Sequence, residues 1–346
     1  MCEKSIIIYV NNVTHILGGV EVFNFNLEKS FKKNKILFKP VYKIKFLIKF
    51  KIIRELLSVI KLIFKTKSKS TKFLLIHQSS FLEIIFLPLI SLFFKDVRLL
   101  SHVGCSWKHI SDKRLLRLTN FIINTFISKL YIISNDQDNF FNHHNKCKID
   151  SIIDYNFYEF KSLANSNEEG YILYLGRICK EKGLTDLVYA YELLKRNNQK
   201  ITIPKLKLIG PVSEDFKNSL LNIIDSLDFE REAVEILPPV YDIKQKLKLI
   251  DNSIFGVYPS YYDAFPLTPI EFFSRKKLCL TTSIAESKYF IKEKFLLFTP
   301  GDIIGLSSKM SELVNPTINY LDDEKINSTV LKAINMAKGN IYKFFI

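Results

Sequence analysis

The feature that most narrows the fold is an alternation of short apolar, strand-like runs with longer stretches of helical periodicity, sustained through almost all of the 346 residues. Parallel strands need a crossover between them, usually a helix, so this pattern reads as α/β with parallel sheets covered on both faces. In the first half the expected strands are Ser5–Val10, Ile36–Val41, Lys72–Ile76, Val97–His102, Leu130–Ser134 and Lys148–Ile153. A polar stretch ending in Asn165-Ser166-Asn167-Glu168-Glu169-Gly170 then interrupts the pattern. A second series follows at Tyr171–Leu175, Lys205–Ile209, Val234–Leu237, Ser253–Val257, Leu278–Thr281 and Leu296–Phe298. The chain is long for one core, so two Rossmann-like, doubly wound domains are expected at 1–160 and 165–325, facing each other across a cleft. A last helix in 326–346 is expected to return to the first domain. Ligands of such sheets sit at the carboxyl ends of the strands, which makes the cleft the expected site.

Charge and cysteines bound the setting. The formal net charge of +15 favours polyanionic partners, whether nucleic acid, anionic lipid or phosphorylated substrate. The five cysteines, Cys2, Cys105, Cys147, Cys179 and Cys279, are scattered without a CxxC pair or zinc-ligand spacing, as reduced thiols of a cytoplasmic protein would be. No signal-peptide pattern opens the chain. The longest apolar run, Ile84 to Phe94, is broken by Pro88 and falls short of the roughly 20 residues that span a bilayer, so it reads as a buried helix.

Three constellations can carry chemistry. Gly18-Gly19 follows the first strand and precedes a helical run, either as an ordinary turn or as a loop whose backbone approaches a phosphate. Gly176-Arg177 and Lys182 follow the strand Tyr171–Leu175. They suit a diphosphate, with the planar arginine fork beside a compact ammonium, or else form a solvated basic loop. After the strand Ser253–Val257, Asp263 lies in a loop and Glu271 inside the helix that follows. Two carboxylates there can accept hydrogen bonds from sugar and ribose hydroxyls, although Asp263 also suits a plain helix N-cap.

Together these residues resemble glycosyltransferase family 4, the retaining nucleotide-sugar glycosyltransferases of GT-B fold. That family carries a Gly-Arg segment with a following lysine, then a carboxylate, seven residues and a glutamate; Gly176-Arg177, Lys182 and Asp263 to Glu271 repeat the order and the gap. The resemblance implies that Arg177 and Lys182 bind the donor diphosphate and stabilise the leaving nucleotide. It implies that Glu271 holds the ribose and that Asp263, where the family usually has glutamate, contacts the donor sugar. Backbone amides of Phe265 and Leu267 would lie near the phosphates, Gly18 and Gly19 would line the donor site, and His102 matches the family histidine beside the donor sugar. After Thr281-Thr282-Ser283 the chain departs from the family, with Ile284-Ala285-Glu286 and no glycine-rich turn. The two cations stand where a metal would otherwise neutralise the diphosphate, so no metal or other cofactor is expected. Asp136-Gln137-Asp138 has metal-motif spacing but follows a first-domain strand.

Between Lys43 and Lys72 ten lysines and arginines face a single acid, Glu55, while Ile53, Leu56, Leu57, Ile60 and Phe64 keep helical spacing. Such a basic amphipathic helix suits an anionic membrane surface or, equally, packs on the first sheet with a solvated basic face. The resulting expectation is a metal-independent hexosyltransferase moving sugar from a nucleotide-sugar onto a glycan or lipid-linked acceptor. It would work in O-antigen or capsule (lipopolysaccharide-type) synthesis, peripheral on the inner face of the plasma membrane. Weighed against it are an epimerase or phosphorylase of the same fold and a non-catalytic nucleic-acid-binding protein. Nucleic acid is not expected as a partner, because no helix-turn-helix or RNP-like segment occurs.

Overall fold

The computed structural model describes residues 5–10, 27–43, 51–65, 71–78, 82–101, 113–149, 170–263, 266–315 and 324–337. They fall into two compact units, one within residues 1–154 and one within 155–338.

Unit 1 is built on six strands: β1 (Ser5–Val10), β2 (Phe38–Tyr42), β3 (Thr71–Gln78), β4 (Val97–Ser101), β5 (Lys129–Ile132) and β6 (Lys146–Lys148). All pair in parallel, in the order β2-β1-β3-β4-β5-β6. The inner strands are near-continuous apolar runs because both sheet faces are covered; Phe73 to Ile76 are all buried. A helix at residues 27–33 (α1) joins β1 to β2. The later crossovers carry α2 (Lys51–Lys65), α3 (Leu82–Ile85), α4 (Leu87–Ser91), α5 (Lys113–Phe126) and α6 (Asn135–Phe140). One core joins Leu74, Ile76, Leu99 and Ile132 of the sheet to Val59 and Leu62 of α2, Ile84 of α3, Ile90 of α4 and Ile123 of α5, so α2 to α5 cover the same face.

The expected strands are present, and β1 keeps the expected bounds. The last differs: β6 spans Lys146–Lys148, earlier than the expected Lys148–Ile153. The apolar run at 84–94 is not one buried helix. It breaks at Phe86, where Pro88 fits the first turn of α4, and Leu92 and Phe93 are exposed. Asp136-Gln137-Asp138 forms the start of α6, with Ser134 and Gln137 completing a capping box and Asp138 paired with Lys146 at 2.7 Å.

The basic run also needs correction at its first member. Lys43 lies inside unit 1, ion-paired to Glu83 and, at 3.1 Å, to Glu55, with all three side chains at most 5% exposed. It therefore cannot meet a membrane. Two acids 12 and 40 positions further along close around it, a long-range arrangement invisible to local charge counting.

Unit 2 has strands β7 (Tyr171–Leu175), β8 (Leu206–Ile209), β9 (Val234–Leu237), β10 (Ser253–Tyr258), β11 (Cys279–Thr282) and β12 (Leu297–Phe298), all parallel, in the order β12-β11-β10-β7-β8-β9. Its helices are α7 (Leu184–Asn197), α8 (Glu214–Ser226), α9 (Ile243–Asn252), α10 (Leu267–Ser274), α11 (Ala285–Phe290), α12 (Ile303–Val314) and α13 (Glu324–Ala337). α13 packs on α10 and α11 of its own unit; of the stretch 326–346 expected to return to the first domain, residues 338–346 lie outside the described residues. The two units are thus two doubly wound α/β sheets, as the alternation predicts.

Candidate functional site

The chain runs outward from β7 through β8 to β9, then crosses back to place β10 on the other side of β7. The strand order therefore reverses between β7 and β10, and the loops after these strands flank the crevice where doubly wound sheets bind ligands. Arg177, Lys182, Asp263, Leu267 and Glu271 all lie on or just after these two loops.

Close backbone packing holds the loops together. Gly183 has φ +68°, and a Cβ there would stand 2.2 Å from the Pro259 carbonyl oxygen, so only glycine lets the two segments meet. The Tyr261 amide donates to the Glu181 carbonyl at 3.0 Å, and the Thr268 hydroxyl donates to the Leu175 carbonyl at 3.1 Å, tying α10 to the end of β7. A third loop closes in at Gly210, where a Cβ would come within 1.8 Å of the Gly176 carbonyl oxygen.

This framework aims Lys182 at the second loop. From a 3-10 turn at Lys180–Lys182, its ammonium donates to Asp263 Oδ2 at 2.7 Å and to the Tyr258 hydroxyl at 2.9 Å. Tyr258 also bonds the same carboxylate oxygen. The lysine and aspartate side chains are 12% and 21% exposed. Burial pulls the Lys182 pKa down, but the Asp263 charge and the hydrogen bond to it outweigh burial, leaving it above its ordinary value. Burial pushes the Tyr258 and Tyr174 phenols well above theirs, so both stay neutral donors. Tyr174 donates to the Arg177 carbonyl at 2.7 Å, bracing the turn that presents Arg177. That side chain is exposed, and its charge acts on Glu181 and Lys182 beside it. The basic loop is therefore not merely solvated: one cation is held, the other is presented to solvent.

Asp263 is not the cap of the following helix. α10 has Pro266 at its N-cap, without a side-chain hydrogen bond, and Leu267 is its first residue. Glu271 sits on α10 with 2% exposure and is held by Lys246 of α9, whose ammonium lies 2.6 Å from Oε1 and 2.5 Å from Oε2. Each predicted carboxylate thus has its own lysine. Sequence reasoning missed Tyr258 and Lys246. Tyr258 ends β10 only five residues before Asp263, but Lys246 carries no local signal because it reaches Glu271 from 25 residues away. The predicted His102, Gly18, Gly19 and Phe265 lie outside the described residues.

A diphosphate at this reversal point would meet Arg177, Lys182 and the amide-bearing start of α10, while carboxylates at Asp263 and Glu271 accept from hydroxyls. The comparisons bear on the same half. Residues 157–325 match the family model of glycosyl transferases group 1. The whole chain superposes on solved GT-B glycosyltransferases. HepE from Anabaena, in complex with UDP and glucose, is 15% identical with a TM-score of 0.69, covering 97% of this chain and 94% of that one. Sucrose-phosphate synthase from Thermosynechococcus elongatus is 13% identical with a TM-score of 0.77, covering 99% and 98%.

The chain has the GT-B fold, and its second unit resembles the group 1 glycosyl transferases.

A glycosyltransferase from Rickettsia africae is likewise similar, 16% identical with a TM-score of 0.70 and coverage of 100% and 97%. No curated protein matches the chain. Arg177, Lys182, Asp263, Leu267 and Glu271 all lie within the matched segment.

Proposed function

We propose that this chain is a glycosyltransferase that moves a hexosyl group, with retention of configuration, from a nucleotide-sugar onto a glycan or lipid-linked saccharide acceptor in surface-polysaccharide synthesis. The observation that carries the reading is the Lys182–Asp263 pair beside Arg177 at the point where the second sheet reverses. Arg177 and Lys182 neutralise the diphosphate as the glycosidic bond breaks, and they do so without a metal. Glu271 takes the ribose hydroxyls. Asp263 turns toward the donor sugar once phosphate competes for Lys182, and the amide of Leu267 faces the phosphates. His102, Gly18, Gly19 and Phe265 keep the donor-site roles that the family 4 resemblance implies. HepE has been solved in complex with UDP and glucose and with UDP-glucose, which supports a uridine diphosphate sugar as the first donor to try.

The test is a thermal-shift and hydrolysis screen against a panel of nucleotide-sugars, with and without a strong chelator. Stabilisation by one donor, lost in Lys182→Ala and Glu271→Ala and indifferent to the chelator, is the expected result. No response to any donor overturns the reading, and loss of activity on chelation with rescue by manganese overturns its metal-free form.

A further inference from the structure

The outer surface of the α2 to α5 layer in unit 1 is unusually apolar for a face in contact with water. On α2, Ile52, Leu56, Ile60 and Phe64 recur every fourth residue and form one ridge, 64%, 38%, 36% and 70% exposed. The helix buries a different side, through Val59 and Leu62, so the ridge takes no part in the sheet core. On α5, Leu118 and Phe121 are 53% and 63% exposed, and Arg114 and Arg117 share that face. Leu92 and Phe93 extend the apolar surface after α4. Scattered single hydrophobics are normal on a protein surface; clusters on neighbouring helices of one layer mark a contact surface.

Charge identifies the partner. Residues 51–126 hold 13 lysines and arginines and four acids, Glu55, Glu83, Asp96 and Asp112. Glu55 and Glu83 are consumed by the buried Lys43, and Asp96 is bound by Arg98 and Ser128. The described acids of this segment are thus paired, while cations such as Arg54, Lys61 and Lys65 lie together on one flank of the ridge. A second copy meeting this face isologously would set like charges against like. A protruding apolar ridge with a cationic border instead suits a soft anionic layer that closes around it.

We propose that the outer surface of α2 to α5 docks on an anionic lipid bilayer, with the α2 ridge, Leu118 and Phe121 entering the headgroup boundary and the bordering cations meeting lipid phosphates. The face extends well beyond the basic run at 43–72 and excludes Lys43. It is independent of donor binding, so it stands or falls separately from the transfer reaction.

The purified full chain is sedimented with vesicles of phosphatidylcholine alone or with added phosphatidylglycerol, at low and high salt, without nucleotide-sugar. Binding to the phosphatidylglycerol vesicles is expected, at least about tenfold weaker in high salt or without the anionic lipid. Phe64→Ser with Phe121→Ser lowers it by roughly tenfold or more, since each exposed ring adds apolar burial. Arg117→Glu weakens the preference for anionic lipid while leaving the apolar ridge intact. Unchanged circular dichroism and melting of the variants separates lost docking from lost folding. Absence of vesicle binding, binding indifferent to the two phenylalanine substitutions, or a wild-type dimer that the same substitutions dissociate would each overturn the proposal.

Discussion

Lys182 Nζ lies 2.7 Å from Asp263 Oδ2, so the cation assigned to the donor diphosphate is held by the carboxylate assigned to the donor sugar. The pair is only partly exposed, at 12% and 21%, and keeps the ammonium pointed at the crevice. Lys182→Ala is expected to lower kcat/KM for the donor by about 10²–10³, the usual loss for one charge-stabilising donor. Asp263→Asn removes the charge that raises the Lys182 pKa, leaving burial to pull it down. Steady-state kinetics from pH 7 to pH 10 check this: donor turnover by Asp263→Asn should fall off at a lower pH than in the parent. Wild-type behaviour of Lys182→Ala counts against the assignment.

Glu271 and Lys246 form the second pair. Lys246→Ala takes an ammonium away from a carboxylate that is 2% exposed, and should destabilise unit 2 by about 1–3 kcal/mol, below the range for fully buried pairs because the lysine is 26% exposed. On the proposed assignment of the ribose hydroxyls to the Glu271 carboxylate, Glu271→Ala should weaken donor binding more than Lys246→Ala does. Urea unfolding and donor titration of the two single variants and the double variant give the coupling.

The pH dependence has a definite sign. The Lys182 pKa is raised in the folded protein, so its contribution is fully present below its ordinary value and is lost only as pH rises through the raised one. Tyr261 behaves alike: its hydrogen bond to Asp186, with burial, pushes the phenol up to about 12, a contribution complete below pH 10 and lost as pH approaches 12. Stability from these two groups should therefore be flat from pH 7 to about pH 9.5 and fall above it, measured by urea melts on Tyr261→Phe beside the parent. A fall between pH 7 and pH 9 that Tyr261→Phe abolishes would contradict the assignment.

Gly183→Ala and Gly210→Ala test the framework without touching a charge. At Gly183 the added methyl meets a backbone oxygen at 2.2 Å from a left-handed conformation, and at Gly210 it meets one at 1.8 Å. Backbone atoms cannot yield as a flexible side chain does, so each substitution is expected to cost at least about 2–3 kcal/mol and to lower donor affinity. An unaltered denaturation midpoint in either variant would show that the loops are not locked together.

Much of this was legible because parallel strands buried on both faces are apolar over their whole length; Tyr171–Leu175 announces itself and keeps its expected bounds. Asp263 and Glu271 were legible because their spacing straddles a loop and a helix start. Lys246 was not, since its role depends on how α9 lies against α10. Nor did helical spacing alone say which side of α2 packs: of Ile53, Leu56, Leu57, Ile60 and Phe64, read as one apolar face, all but the half-buried Leu57 are exposed, whereas Glu55 and Ser58 turn inward with Val59 and Leu62.

That inversion gives the last prediction. Lys43 holds Glu55 and Glu83 where α2 and α3 meet the sheet, with its own side chain 2% exposed. Lys43→Met removes the cation and leaves two carboxylates facing each other out of water, so unit 1 should lose about 3–5 kcal/mol. Replacing all three, Lys43→Met with Glu55→Leu and Glu83→Leu, removes both the attraction and the desolvation cost of the charges and should recover most of that loss. Thermal melts of parent, single and triple variants decide between a buried pair that only satisfies its own charges and one whose geometry the helices need. If the triple variant melts as low as the single one, the second holds, and the ion pairs position α2 and α3.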